Sequence, residues 1–325
     1  MRVTPVPFDP ALGAVLDAMP RDEGREPSLE TVAAVRAASA AIPVPSVADV
    51  VGTRGIDVEE RTVPGPDGAP DLDVTVLRPR RPGPPVPGLY NIHGGGMISG
   101  TRHQDTARLA DLVEELGVVA VNVEYRLAPE NPGPGPVEDC YAGLRWMSRH
   151  AAGLGVDPRR IVVMGGSAGG GLSAGVALMA RERGGPSLAG QLLLCPMLDD
   201  RNTTVSSHQY TDRGTWRRAM NVLAWQALLG EQAGDPGADV PAHVAPARAS
   251  DLSGLPPAFV EAGSAELFRD EDVAYASRIW AAGGRAELHI WQGAFHGFDV
   301  FAPDHEVTRA ALAARRSWLR RVLDL

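Results

Sequence analysis

Lysine is absent from all 325 positions, so every one of the 31 basic residues is arginine. Schiff-base catalysis, a P-loop lysine on a phosphate and a Ser-x-x-Lys nucleophile pair are thereby excluded. Cysteine is scarce as well. Cys140 and Cys195 stand apart in apolar stretches with no CxxC or Cys/His ligand spacing. That argues against a disulfide framework and a structural zinc, and for buried thiols in a reducing compartment. Positive charge is in deficit: 40 acids spread along the chain leave a formal charge of −9, which is no footprint for nucleic acid or an anionic membrane. Long apolar runs are missing too. The most apolar internal stretch, residues 169–180, is too short to cross a bilayer that needs about 20 apolar residues. The N-terminal stretch is interrupted by Pro5, Pro7, Asp9 and Asp17 before a secretory signal can build. The expectation is a soluble, cytoplasmic protein with no stable membrane insertion and no nucleic-acid partner.

What is present is an ordinary globular composition, 44% hydrophobic and 22% charged, with no internal repeat. Residues 1–50 carry helical spacing around Leu12, Val15 and Met19 and again around Val32, Val35 and Ala38, broken by the Pro-rich stretch AIPVPSVADV. This reads as a helical cap segment. The period then changes, and a Pro-Asp-Gly turn predicts antiparallel strands near 58–64 and 72–79. Beyond residue 85, apolar runs at 88–92, 118–125, 160–165, 191–195, 257–262 and 285–291 alternate with helical patterns near 102–116, 137–152, 168–184, 270–283 and 305–323. Such a rhythm predicts an α/β fold: a mostly parallel central sheet with helices on both faces, over residues 51–325. One long interruption, about 200–250, reads as an inserted helical cap.

Three groups of residues carry chemistry. Gly165-Gly166-Ser167-Ala168-Gly169 follows the strand IVVM and opens a helix, the context of a tight turn that lifts a serine hydroxyl over the sheet at a helix N-terminus. His93-Gly94-Gly95-Gly96 closes the strand GLYNI. Its glycines let successive N–H groups turn into a cleft to hold an oxyanion, each donor contributing about 3 kcal/mol in the transition state. His296 lies in a loop past the last strand, where an imidazole can reach back to the serine as a base; His289, inside that strand, reads as packing or surface. The orienting acid belongs after the preceding strand, with Glu261, Glu266 and Asp270 as candidates. Glu261 is part of the strand and Asp270 stands where a helix begins, a capping position, which favours Glu266 in the loop.

Taken together, the chain resembles the hormone-sensitive lipase-like α/β-hydrolases, the bacterial family IV esterases. The likeness rests on HGGG at 93–96, Tyr125-Arg126-Leu127-Ala128-Pro129-Glu130, Val137-Glu138-Asp139-Cys140, GGSAGG at 165–170, Pro196-Met197-Leu198-Asp199, Glu266-Leu267-Phe268-Arg269-Asp270-Glu271 and HGF at 296–298, in family order over about 57–323. The resemblance implies Ser167 as nucleophile, His296 as general base and the amides of Gly95, Gly96 and Ala168 as the oxyanion hole. Counting back from Arg269-Asp270-Glu271 puts Glu266 at the family's acid, usually Asp. Leu267 replaces the usual Pro, Gly166 replaces the more frequent Asp or Thr, and after Glu130, where a Phe-Pro pair is usual, the chain reads Asn131-Pro132-Gly133-Pro134-Gly135-Pro136. Tyr125 and Glu130 are implied supports of the HGGG loop.

The implied chemistry is acyl transfer to water from short or medium acyl or aryl esters, with no metal and no organic cofactor. Substrate contacts are expected from the cap segments and from Met97, Leu198, Trp216 and Phe298. The same three residues can also cleave an amide, formyl or carbamate group or pass the acyl group to another acceptor. A non-catalytic small-molecule-binding homologue is the remote alternative. The expected partner is a small-molecule ester, and the chain a monomer or homodimer.

Overall fold

A computed structural model describes residues 3–19, 27–80 and 83–325. Residues 20–26 of the N-terminal cap segment lie outside the described residues. Eight strands form one sheet: β1 (Ile56–Val63), β2 (Leu72–Pro79), β3 (Val86–Ile92), β4 (Val119–Val123), β5 (Val156–Gly166), β6 (Gly190–Leu194), β7 (Ala258–Gly263) and β8 (Ala286–Trp291). Their order across the sheet is β1-β2-β4-β3-β5-β6-β7-β8. The hairpin β1–β2 and the β2–β4 pair are antiparallel, and every other pair is parallel.

Alternation along each strand feeds two cores, one per face. Tyr90 and Ile92 of β3, Ile161 and Val163 of β5, and Val260 of β7 enter the larger cluster. Leu89, Val162, Met164 and Phe259 enter the other. Both faces of a central parallel strand are apolar because crossover helices cover both; each fully buried Val or Leu contributes about 1.5–3 kcal/mol. In chain order the helices are α1 (Pro10–Ala18), α2 (Val32–Ala40), α3 (Val47–Val51), α4 (Thr106–Leu116), α5 (Gly135–Arg149), α6 (Ala151–Leu154), α7 (Ala168–Glu182), α8 (Val205–Gln209), α9 (Arg218–Leu229), α10 (Arg269–Ala281), α11 (Phe298–Phe301) and α12 (Glu306–Val322). Leu109 and Val113 of α4 and Trp318 and Leu319 of α12 pack on one face. Helices α5, α7 and α10 pack on the other. Every residue of α7 from Ala168 to Ala180 is buried, and apart from Ser173, whose hydroxyl donates to the Gly169 carbonyl at 2.7 Å, that stretch is built from Gly, Ala, Leu, Val and Met.

Two segments sit outside the strand rhythm. Helix α1 is capped by Asp9, whose carboxylate accepts from Ala11 and Leu12 at 2.9 and 3.2 Å. Its Leu12 and Leu16 pack on Ala294, Phe295 and Phe298, so the N-terminal helix lies against the loop carrying His296. Between β6 and β7, within the stretch read as an inserted cap, lie α8 and α9, and α9 sends Leu223, Trp225 and Leu228 into the larger core.

Candidate active site

Ser167, the His93–Gly96 loop, Glu266 and His296 follow the carboxyl ends of the parallel strands β5, β3, β7 and β8, where open α/β sheets form their clefts. The turn after β5 holds Ser167 at φ 57° and ψ −125°, a conformation side chains rarely adopt. The turn is held on both sides: the Ser167 N–H donates to the Leu194 carbonyl at 2.8 Å, and its own carbonyl accepts from Gly171 and Met197. Gly169 has to lack a side chain, because a Cβ there would lie 2.0 Å from the Ile92 carbonyl oxygen.

The imidazole of His296 bridges the other two groups. Its Nε2 lies 3.0 Å from Ser167 Oγ and its Nδ1 2.6 Å from Glu266 Oε2. Glu266 is buried, and its second oxygen accepts the Gly263 N–H at 2.6 Å. Phe268 sets its edge on the His296 ring, with centroids 5.1 Å apart. Asp270 faces elsewhere: its carboxylate accepts from the Ser206 N–H and from Arg269 Nε, both at 2.7 Å. Glu261 pairs with Arg315 and Trp291 beneath the strand. Of the three acid candidates, the structure brings only Glu266 to the histidine.

The loop after β3 turns sharply, with φ values of 113°, 64° and 60° at Gly95, Gly96 and Met97. Among the described residues no carbonyl accepts from the Gly95 or Gly96 N–H, which leaves both donors for a ligand. The amide of Ala168 opens α7 beside Ser167, where the helix dipole favours negative charge. His93 stacks on Tyr125 with centroids 4.2 Å apart, and the Tyr125 hydroxyl donates to the His93 carbonyl at 3.0 Å. Burial pushes the His93 imidazole below its ordinary value. Glu130 reaches the loop through Arg36 of α2. That guanidinium donates to both Glu130 oxygens at 2.7 and 2.6 Å, and to the carbonyls of Ile98 and Ala128 at 2.7 and 2.8 Å.

The expected substrate contacts divide. Met97, Leu198 and Phe298 are buried, and Phe298 belongs to the α1 cluster. Trp216 is half-buried and rests on Gly96. Sequence reasoning missed Thr215, whose hydroxyl donates to the His296 carbonyl. It also missed Ser264, whose hydroxyl accepts the Gly293 N–H at 2.8 Å and joins the acid loop to the histidine loop. A lone Thr or Ser in a cap or loop carries no signal of such a partner. Donor atoms of Cys195, Glu266 and His296 lie within 4.8 Å of one another; within that group Glu266 Oε2 and His296 Nδ1 already face each other at 2.6 Å, and burial pushes the Cys195 thiol up.

A family model of the alpha/beta hydrolase fold matches residues 89–300. The chain belongs to that family. Within its hormone-sensitive lipase-like esterases, the hydrolase is 39% identical over 254 residues to the carboxylesterase NlhH of Mycobacterium tuberculosis, covering 75% of this chain and 76% of that one. It is 28% identical over 232 residues to the ethyl acetate hydrolase of Pseudomonas putida, covering 70% and 71%. Among solved structures, a bacterial heroin esterase superposes with a TM-score of 0.89 at 39% identity, covering 97% of this chain and 98% of that one. Among the described residues of this hydrolase, no helix is long and apolar enough to cross a membrane.

Proposed function

We propose that this hydrolase cleaves carboxylic esters of short to medium acyl or aryl type through a Ser167–His296–Glu266 triad. The observation that carries the reading is the single imidazole bridging Ser167 Oγ at 3.0 Å and the Glu266 carboxylate at 2.6 Å, beside the free amides of Gly95 and Gly96. The names borne by the relatives support the ester class, and ethyl acetate hydrolase supports a small acyl group.

Chemically, His296 Nε2 takes the Ser167 proton as Oγ attacks the ester carbonyl carbon. The oxyanion that forms is met by N–H groups of Gly95, Gly96 and Ala168, an arrangement in which each donor contributes about 3 kcal/mol. The imidazolium then returns its proton to the leaving alkoxide, an alcohol departs, and the acyl group stays on Ser167. Water, deprotonated by the same nitrogen, repeats the attack and releases the acid. Glu266 remains ionised, accepting from Nδ1–H, so the proton-free nitrogen faces Ser167. Helices α1, α2, α8 and α9 form the cap over this edge. Initial rates on p-nitrophenyl esters of increasing acyl length test the reading. Turnover of short esters abolished in Ser167→Ala supports it, and full activity in Ser167→Ala refutes it.

A further inference from the structure

Beside the oxyanion loop stands an aromatic wall whose setting is specified atom by atom. A Cβ built on Gly96 would lie 2.4 and 2.8 Å from Cη2 and Cζ2 of Trp216, so the indole rests directly on the Gly96 backbone. Its Nε1–H donates to Asn221 Oδ1 at 3.0 Å. Asn221 Nδ2 donates to Asn202 Oδ1 at 2.5 Å, and Asn202 Nδ2 to the Asp200 carbonyl at 3.0 Å. Both asparagines are buried, and Asn202 sits at φ 52°, a left-handed conformation that asparagine tolerates. An indole nitrogen only donates. That turns the Asn221 oxygen toward the ring, leaves its NH2 for Asn202, and gives the chain of hydrogen bonds a single sense. The far end is fixed because the Asp200 carboxylate is gripped by Arg248 at 2.6 and 2.8 Å.

We propose that the Asn202–Asn221 relay is a positioning device that holds Trp216 as a fixed wall on the acyl side of the oxyanion hole, restricting the enzyme to acyl groups unbranched at the α-carbon. This rests on the ester-hydrolase reading above. The carbonyl oxygen points at the Gly95, Gly96 and Ala168 amides and the leaving oxygen faces His296 Nε2 to collect its proton, so the acyl carbon takes a third direction, away from the histidine and past the oxyanion loop toward the indole that rests on Gly96. Room for an α-branch there requires the ring to move, and the relay opposes that movement.

The test compares kcat/KM for p-nitrophenyl acetate and p-nitrophenyl 2,2-dimethylpropanoate in wild type, Trp216→Ala, Asn221→Leu and the double variant. Trp216→Ala is expected to raise the branched-to-acetate ratio about tenfold or more, and Asn221→Leu about three- to tenfold in the same direction. The double variant is expected to match Trp216→Ala, because Asn221 acts only through the ring. Asn221→Asp keeps the acceptor for the indole but sets oxygen against Asn202 Oδ1, and should follow Asn221→Leu. An unchanged ratio in Trp216→Ala, equal losses on both esters in Asn221→Leu, or additive effects in the double variant overturns the proposal. So does a shift in selectivity among alcohols at a fixed acyl group. Labelling of Ser167 by ethyl and isopropyl fluorophosphonates, read by mass, runs alongside and establishes that each variant is folded. If wild type labels yet hydrolyses neither ester, the ester reading falls. The wall is then judged on the isopropyl-to-ethyl labelling ratio, with the same expected order among the variants.

Discussion

Glu266→Gln is the substitution that separates orientation of the histidine from mere proximity. The carboxylate serves two donors at once: Oε1 takes the Gly263 N–H and Oε2 faces Nδ1 of His296, each at 2.6 Å. A glutamine has one acceptor oxygen. If that oxygen stays on Gly263, the NH2 faces Nδ1, the proton moves to Nε2, and the base that Ser167 needs is gone. If the amide flips, its NH2 opposes the Gly263 N–H inside a buried pocket, and a backbone donor is left unpaired. Either way kcat/KM is expected to fall by about 10³–10⁴, or about 4–5 kcal/mol of transition-state stabilisation. The control is Asp270→Asn, whose parent carboxylate binds Ser206 and Arg269; it should stay within about threefold of wild type. The assay is initial rates on p-nitrophenyl acetate over about pH 6 to 9. Glu266→Gln within about tenfold of wild type, or Asp270→Asn falling equally, would refute the reasoning.

Three further outcomes follow from groups around the site. Arg36→Leu removes the donor from the Ile98 and Ala128 carbonyls as well as from Glu130, so it should cost about 1–3 kcal/mol in thermal unfolding. Glu130→Gln, which loses only a half-exposed pair, should cost less, and equal losses would contradict the account. Arg315 is buried between Glu261 and Asp299; Arg315→Met leaves two buried carboxylates unpaired, an expected loss of about 3–5 kcal/mol. Adding Glu261→Gln and Asp299→Asn should recover most of it, and no recovery in urea titrations would count against the pairing. Finally, burial lowers the His93 pKa, so below about pH 6.5 the unfolded chain takes up a proton that the folded chain refuses. Stability contributed above pH 6.5 is then lost as pH falls toward the folded pKa, with a slope of up to about 1.4 kcal/mol per pH unit. His93→Phe keeps the stack on Tyr125 and should flatten that part of the profile; His243, also lowered by burial, adds a slope of the same sign, and the Glu271 and Asp272 carboxyls, pushed up by burial, add one of the opposite sign; an unchanged slope would be the contrary result.

Strand and helix positions were legible wherever apolar residues repeat with a fixed period; some misses lie where a distant partner intervenes and one where a local cap was overlooked. The apolar run 118–125 outlasts β4 because Tyr125 leaves the ladder to bond the His93 carbonyl. The helix expected from 102 starts at Thr106, preceded by a tight turn in which the Arg102 N–H takes the Glu124 carboxylate. The stretch 41–50, read as a break, ends in α3, started by Ser46 capping the Asp49 N–H. The central site was readable because its chemistry demands local turns, with glycines beside Ser167 and after His93. The supports of that site were not readable. Arg36 acts on residues 62 and 94 positions away and Thr215 on one 81 positions away, and no local pattern marks such pairs.

Glu266, at a position where the resembled family usually has aspartate, lies in a loop after β7 that is tightly joined to the loop after β8 carrying His296. The Ser264 N–H donates to Trp291 O at 2.8 Å, Ala265 N–H to Ala294 O at 3.0 Å, and Gly293 N–H to Ser264 Oγ at 2.8 Å. Gly263 permits the approach, since a Cβ there would meet Ala294 O at 2.0 Å. From the far side α1 holds the histidine loop, the Asp9 N–H donating to Gly293 O at 3.0 Å. With both loops held, the gap between the Cα of residue 266 and Nδ1 is set by backbone and spanned by the longer side chain. Glu266→Asp shortens the reach by one carbon–carbon bond, about 1.5 Å, while conserving charge. If the loops cannot follow, Nδ1 loses its acceptor at the right distance and kcat falls about 10²-fold with KM little changed. Wild-type kcat in Glu266→Asp would mean that the loops close the gap themselves, and that their hydrogen bonds do not fix the spacing.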